Sequence, residues 1–313
     1  MRQVTRAPRL PRGGVIGIVS VSAPEAVAEP ERFRRGIATI EAEGYRTRTG
    51  PSTSRCNGYL SGDERLMAED LHRLIADPEI AAVICAGGGT NANRLLRHID
   101  SQVIIDNPKI IVGMSNPSVL LNAIYASTGL VTFHGPTVVW NFGEADGLTP
   151  RTYAHFWPLI TGTGQVKPFP ATPNWKWWKR GTARGRLIGG NLASLEGLLG
   201  TQWAPDWKGH ILFWEDIAKP TNILDRCLTH FRDAGVFDGI AGMIVGELVA
   251  CDPPAGGQTL EAVLHDVVGD LDFPILCNVD LGHTADKLTL PIGCEAILDS
   301  EKNTFSLIEP AVQ

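Results

Sequence analysis

No stretch of the sequence holds the roughly 18 uninterrupted apolar residues that a membrane-crossing helix needs, so no membrane partner is expected. Four arginines fall in the first twelve residues, but Gly13, Gly14 and Gly17 interrupt the apolar stretch behind them and no small-residue cleavage site follows. No export signal is read there, and the cytoplasm is the expected compartment. The six cysteines, Cys56, Cys85, Cys227, Cys251, Cys277 and Cys294, form no CxxC pair, which argues against disulfides and thiolate metal sites alike. Cys85, Cys227 and Cys277 sit in apolar runs and read as small buried hydrophobes. There is no HExxH and the eight histidines are scattered, so no metal is expected. The charge balance is 28 basic against 34 acidic residues, net −6, and the only basic cluster, residues 176–180, is short. A nucleic acid polymer is therefore not an expected partner.

What is present is a globular composition, 43% apolar and 20% charged, in 313 residues, more than one ordinary core accommodates. Short apolar β-branched runs at 15–21, 80–86, 109–113 and 130–134 alternate with helical patterns at 31–43, 64–76, 90–99 and 117–125. That alternation predicts a parallel sheet with helices on its faces, an α/β domain over 1–150. Residues 151–184, rich in Pro, Gly, Thr and Trp, read as a linker and a Trp-rich loop. Residues 185–313, with strands near 211–214, 242–249 and 273–279 and a helix near 223–234, read as a mixed α+β domain.

Several residues have chemical potential where the pattern puts them. Ser115, in Gly113-Met114-Ser115-Asn116-Pro117, follows a strand and precedes a helix. A tight turn there exposes a nucleophile, and the amide of Asn116 is an oxyanion donor at a helix start; a plain N-cap serine is the bland alternative. Gly87-Gly88-Gly89 permits close backbone approach to a ligand, or is merely a turn. It is neither GxGxxG nor a P-loop, so no cofactor is expected. Glu215 and His283 each end an apolar strand, as an orienting acid and a general base would. Asp216 competes for the first role, and a capping or surface histidine is the alternative for the second. Trp175, Trp177 and Trp178 crowd one polar segment, either to bind a flat ring or to staple the domain junction.

Taken in order, these pieces and their neighbours resemble the LD-carboxypeptidase family of serine peptidases, which includes the microcin C immunity peptidases. The resemblance runs through Gly58-Tyr59-Leu60-Ser61-Gly62, Gly88-Gly89 with Asn93-Arg94-Leu95-Leu96, Val112-Gly113-Met114-Ser115, Phe133-His134-Gly135-Pro136, Gly189-Gly190-Asn191-Leu192, Leu212-Phe213-Trp214-Glu215-Asp216 and the run from His283 to Gly293. It implies an N-terminal parallel-sheet α/β sandwich bearing nucleophile Ser115. It also implies a C-terminal mixed, barrel-like α+β domain bearing Glu215 and base His283. The implied oxyanion hole is the amides of Gly88 and Asn116, and homodimers are usual. Asn116 departs from the Asp that commonly follows the serine; a backbone donor survives the change.

The implied reaction is hydrolysis of an amide near the C-terminus of a small peptide-like substrate. That is either a murein tetrapeptide or an aminoacyl- or peptidyl-nucleotide, with Gly89 and the tryptophans as substrate-binding residues and one indole stacking on a purine. Two other readings compete: a non-catalytic two-lobed small-molecule binder, and an amidase using Cys85, which sits inside a strand rather than at a turn.

Overall fold

The computed structural model describes residues 3–163 and 168–313. Its strands are β1 Val15–Val19, β2 Arg46–Thr49, β3 Ile80–Cys85, β4 Ile110–Gly113, β5 Thr132–His134, β6 Lys176–Lys179, β7 Thr182–Asn191, β8 His210–Glu215, β9 Gly242–Gly246, β10 Ile275–Val279, β11 Leu290–Ile292, β12 Glu295–Asp299 and β13 Thr304–Leu307. They form two sheets. The first has the order β11-β5-β4-β3-β1-β2, parallel from β5 to β2, with β11 antiparallel at one edge. The second has the order β13-β12-β7-β8-β9-β10-β6. Its four central strands are parallel, and antiparallel strands flank them on both sides, making a curled half-barrel. The α/β reading of the first half and the mixed reading of the second both hold.

The buried parallel strands β1, β4 and β9 are apolar along their whole length, as strands covered on both faces must be. Helix Glu64–Ala76 has the bounds its periodicity predicts, and Asp63 caps it by accepting from the Leu66 amide. The predicted helix at 90–99 is a tighter 3-10 stretch, Ala92–His98.

The segment 151–184 needs correcting. It is not simply linker and loop: Pro150–Thr161 is a helix, with Thr149 accepting from the Thr152 amide as N-cap and Pro150 at its first position. Lys176–Lys179, inside the Trp-rich stretch, is edge strand β6, antiparallel to β10. Residues 164–167 of this segment lie outside the described residues. Nor does the chain part cleanly into two sheets, because β11 returns from the second half to pair with β5.

Candidate active site

Ser115 lies just beyond the end of β4, before helix Ser118–Thr128, with its backbone in the left-handed region at φ 64°. A non-glycine residue there costs of order 1–3 kcal/mol and persists only where the surroundings impose it. Here they do. Asn116, buried beside it, accepts from Ser22 Oγ at 2.8 Å and from the Ala92 amide at 2.6 Å. Its side-chain amide donates to Ser194 Oγ at 3.3 Å. Three separate segments thus hold the turn, and Asn116 has a side-chain role that the sequence left open. The Ser115 side chain sits against Gly88, where a Cβ would lie only 3.0 Å from Ser115 Oγ and 4.0 Å from the Asn116 amide nitrogen.

Glu215 ends β8, fully buried, and accepts from His283 Nδ1 at 2.7 Å. Burial pushes its carboxyl upward, but the hydrogen bond and charge of His283, with His134 and Asn191 contributing, outweigh that and hold it below the usual carboxylate range. Gly282 makes the pair possible: at φ 84° it turns the chain while lying against the Glu215 carboxylate, leaving no room for a Cβ. Asp216, the competitor, faces elsewhere and accepts from the Ala193 and Ile217 amides.

Two cavities meet at Ser115. The larger, about 990 Å³, is also lined by His283, Gly88, Glu25, Trp140 and Lys287. The smaller, about 400 Å³, is lined by Gly89, Asn116, Asn191, Asp216 and Lys219. Ser115, Glu215 and His283 are therefore brought to one place from three distant parts of the chain, and Gly88, Gly89 and Asn116 adjoin them. Such convergence of a strained serine, a paired histidine and backbone amides beside the serine is suited to acyl transfer.

The oxyanion expectation needs one amendment. Among the described residues the Asn116 amide has no acceptor, but the Gly88 amide donates to Glu25 Oε2 at 2.8 Å, and Trp140 Nε1 donates to the same oxygen at 2.6 Å. Burial raises the Glu25 carboxyl above its usual range, against these hydrogen bonds and the His283 charge. Glu25, Trp140, Lys287 and Lys219 were not singled out from sequence. Trp140 sits in an apolar run that reads as core, and the Glu25–Gly88 contact spans 63 residues.

The tryptophans are corrected. Trp175 is buried, lies tilted beside the Phe305 ring and donates to Asp280 Oδ1 at 3.1 Å; Arg151 pairs with the same carboxylate. This braces the loop three residues before His283. Trp177 donates to Asn303 Oδ1 at 2.7 Å from β6, and Trp178 packs half-buried on the core. None of the three lines either cavity beside Ser115, because strand pairing and packing have used their faces. Cys85 is buried within β3, where burial pushes its thiol up to about 12, so it is no ready thiolate nucleophile.

Comparison with known proteins agrees with this geometry. Residues 16–135 match the model of the LD-carboxypeptidase N-terminal domain, and residues 184–298 that of its C-terminal domain. The chain belongs to the LD-carboxypeptidase family. It is 33% identical to the microcin C7 self-immunity protein MccF of Escherichia coli, over 95% of this chain and 94% of that one. It is 32% identical to the "probable murein peptide carboxypeptidase" of Bacillus subtilis, over 97% and 94%. A solved structure of MccF in complex with glutamyl sulfamoyl guanosine superposes with a TM-score of 0.93 at 31% identity, covering 98% of this chain and 99% of that one. The protein is a serine-type carboxypeptidase, a hydrolase of amide bonds in small peptide-like substrates; the comparisons support this and not a non-catalytic binder. Among the described residues no helix is long and apolar enough to cross a membrane.

Proposed function

We propose that Ser115, Glu215 and His283 are the catalytic triad. The observation that carries the reading is the 2.7 Å Glu215–His283 pair opening into the cavity lined by the strained Ser115 turn. His283 takes the hydroxyl proton as Ser115 Oγ bonds to the substrate carbonyl carbon. The Asn116 amide, and that of Gly88 once substrate displaces Glu25, stabilise the oxyanion. The carbon–nitrogen bond then breaks as His283 protonates the leaving nitrogen, and water hydrolyses the acyl-serine. Glu215 keeps the imidazole oriented and offsets its charge.

His283 lines the larger cavity and not the smaller one, so the leaving group belongs in the larger and the acyl part in the smaller, beside Lys219. A leaving-side cavity of about 990 Å³ is ample for a nucleotide-like group and generous for a single amino acid. This favours an aminoacyl- or peptidyl-nucleotide amide as substrate, with a murein tetrapeptide, peptidoglycan recycling and release of a terminal D-amino acid as the second reading. In either case the enzyme works in the cytoplasm as a homodimer on a small substrate. The test offers wild type and Ser115→Ala a murein tetrapeptide and an aminoacyl-nucleotide amide in parallel. Serine-dependent cleavage of the nucleotide amide is expected; cleavage of the tetrapeptide alone selects the second reading, and equal turnover by Ser115→Ala refutes both.

A further inference from the structure

We propose that Lys287 is the cation that reads a negative charge on the leaving side of the scissile bond, beside the nitrogen that His283 protonates. This rests on the catalytic roles proposed above. Lys287 is only 2% exposed, yet it lines the larger cavity together with Ser115 and His283. Its backbone is anchored, the amide donating to Thr152 Oγ1 at 2.9 Å. Among the described residues its ammonium has neither a salt-bridge partner nor a hydrogen-bond acceptor. Lysines that serve the surface of this protein are different: Lys176 and Lys302 are exposed and pair with Glu261 and Asp299.

A buried ammonium without an anion is expensive to keep. Burial brings its pKa down to about 8, with the charges of Glu215, Glu144 and Asp286 partly opposing the drop. Such a group is stabilised when an anion arrives with the ligand. The two leaving groups under consideration both supply one. A released C-terminal amino acid carries its carboxylate one carbon from the scissile nitrogen, an N-acyl phosphoramidate carries its anionic phosphoryl group directly on that nitrogen, and an N-acyl sulfamate is ionised at that nitrogen itself. The charge arrives in the same region either way. Glu25, Glu144 and Asp146, which line the same cavity, would repel it. Among the described residues lining that cavity, Lys287 is the one with a lysine or arginine charge to attract it.

The test compares wild type with Lys287→Met, an apolar side chain of similar length that removes a buried charge and whose folding is checked by thermal unfolding. One arm measures kcat/KM on a tetrapeptide with a free C-terminal carboxylate and on the same peptide as its C-terminal amide. A second arm measures the affinity of glutamyl sulfamoyl guanosine by calorimetry in the Ser115→Ala background, with and without Lys287→Met, so that no turnover consumes the ligand. Charge-assisted hydrogen bonds predict a loss of about 10- to 100-fold on the anionic ligands and less than about threefold on the peptide amide. Loss on the peptide acid alone assigns Lys287 to a carboxylate, loss on the sulfamate alone to a nucleotide-type linkage. Equal loss on acid and amide, or no loss in either arm, overturns the proposal. If wild type cuts neither peptide, the hydrolytic reading for peptides fails while the calorimetric arm still decides the role of Lys287.

Discussion

The proposed nucleophile and its proposed acid–base partners are held in opposite ways. Ser115 sits in a backbone conformation that costs energy, clamped by the Asn116 network, and its hydroxyl has no hydrogen-bond partner among the described residues. Glu215 and His283 lie outside the left-handed region and bond each other through one carboxylate oxygen, while Glu215 Oε1 has no hydrogen-bond partner among the described residues; their cost is electrostatic, a carboxylate with no exposure to water. One half of the site stores strain in a turn and the other stores buried charge. The first kind of cost fixes where an atom points; the second fixes which protonation state it holds. A triad needs both, which explains why the first sheet contributes a turn and the second a strand end.

Substitutions at Ser115 test the strain half most severely. Ser115→Ala and Ser115→Gly should both lower kcat/KM by about 10⁴-fold or more. Glycine alone relieves the left-handed backbone, so Ser115→Gly should be more stable than Ser115→Ala by about 1 kcal/mol in urea unfolding. Equal stabilities would mean that the turn is not strained. On the charge half, Glu215→Gln preserves shape but removes the carboxylate that orients and compensates His283; kcat should fall about 10³- to 10⁴-fold with KM little changed. A drop of only a few fold would assign the orienting role elsewhere.

A smaller effect probes the surroundings of that buried charge. His134, at the end of β5, is buried with neither ring nitrogen hydrogen-bonded, and burial holds it down to about 4 despite the pull of Glu215. The folded protein therefore refuses a proton that the unfolded chain accepts below about pH 6.5. Its neutral form stabilises the fold above pH 6.5, and that contribution is lost as pH falls from about 6.5 to about 4. Over that range wild type should lose about 3 kcal/mol more than His134→Phe in pH-dependent urea unfolding; parallel curves would contradict the assignment. The smallest effect concerns the brace under His283. Trp175→Phe removes the bond to Asp280 and should cost about 1 kcal/mol of stability while leaving KM within about twofold; a large rise in KM with unchanged stability would restore the indole as a substrate platform.

Much of this was legible from the residues themselves. The parallel strands announce themselves because burial on both faces demands uninterrupted apolar runs, as in Ile80–Cys85 and Gly242–Gly246. Ser115, Glu215 and His283 stood out as candidates because each follows or ends such a run, but an N-cap serine, Asp216 and a surface histidine competed with them, and the family resemblance singled them out. The edges were not. Arg46–Thr49 reads Arg-Thr-Arg-Thr and is nearly all exposed, because an edge strand needs charge rather than a core. Helix Pro150–Thr161 carried its signals, Thr149 and Pro150, but an internal Pro158 and the Trp and Gly content around it hid them. Trp175 stayed between two readings, ring binder or staple, because a tryptophan in a polar stretch gives no hint of whether packing or a ligand will cover it. Glu25 and Lys287 acquire meaning only through distant contacts, with Gly88 and with the cavity wall, and no local pattern encodes those.

The central claim, that Ser115 is the nucleophile and His283 its base, is tested most directly by covalent trapping. Wild type, Ser115→Ala and His283→Ala are treated with a serine-directed fluorophosphonate and the adduct is located by peptide mass spectrometry. A single adduct on Ser115, absent in Ser115→Ala and formed at least about 100-fold more slowly in His283→Ala, is the expected result. Labelling at another residue, or a Ser115→Ala enzyme that still hydrolyses substrate at the wild-type rate, would contradict it.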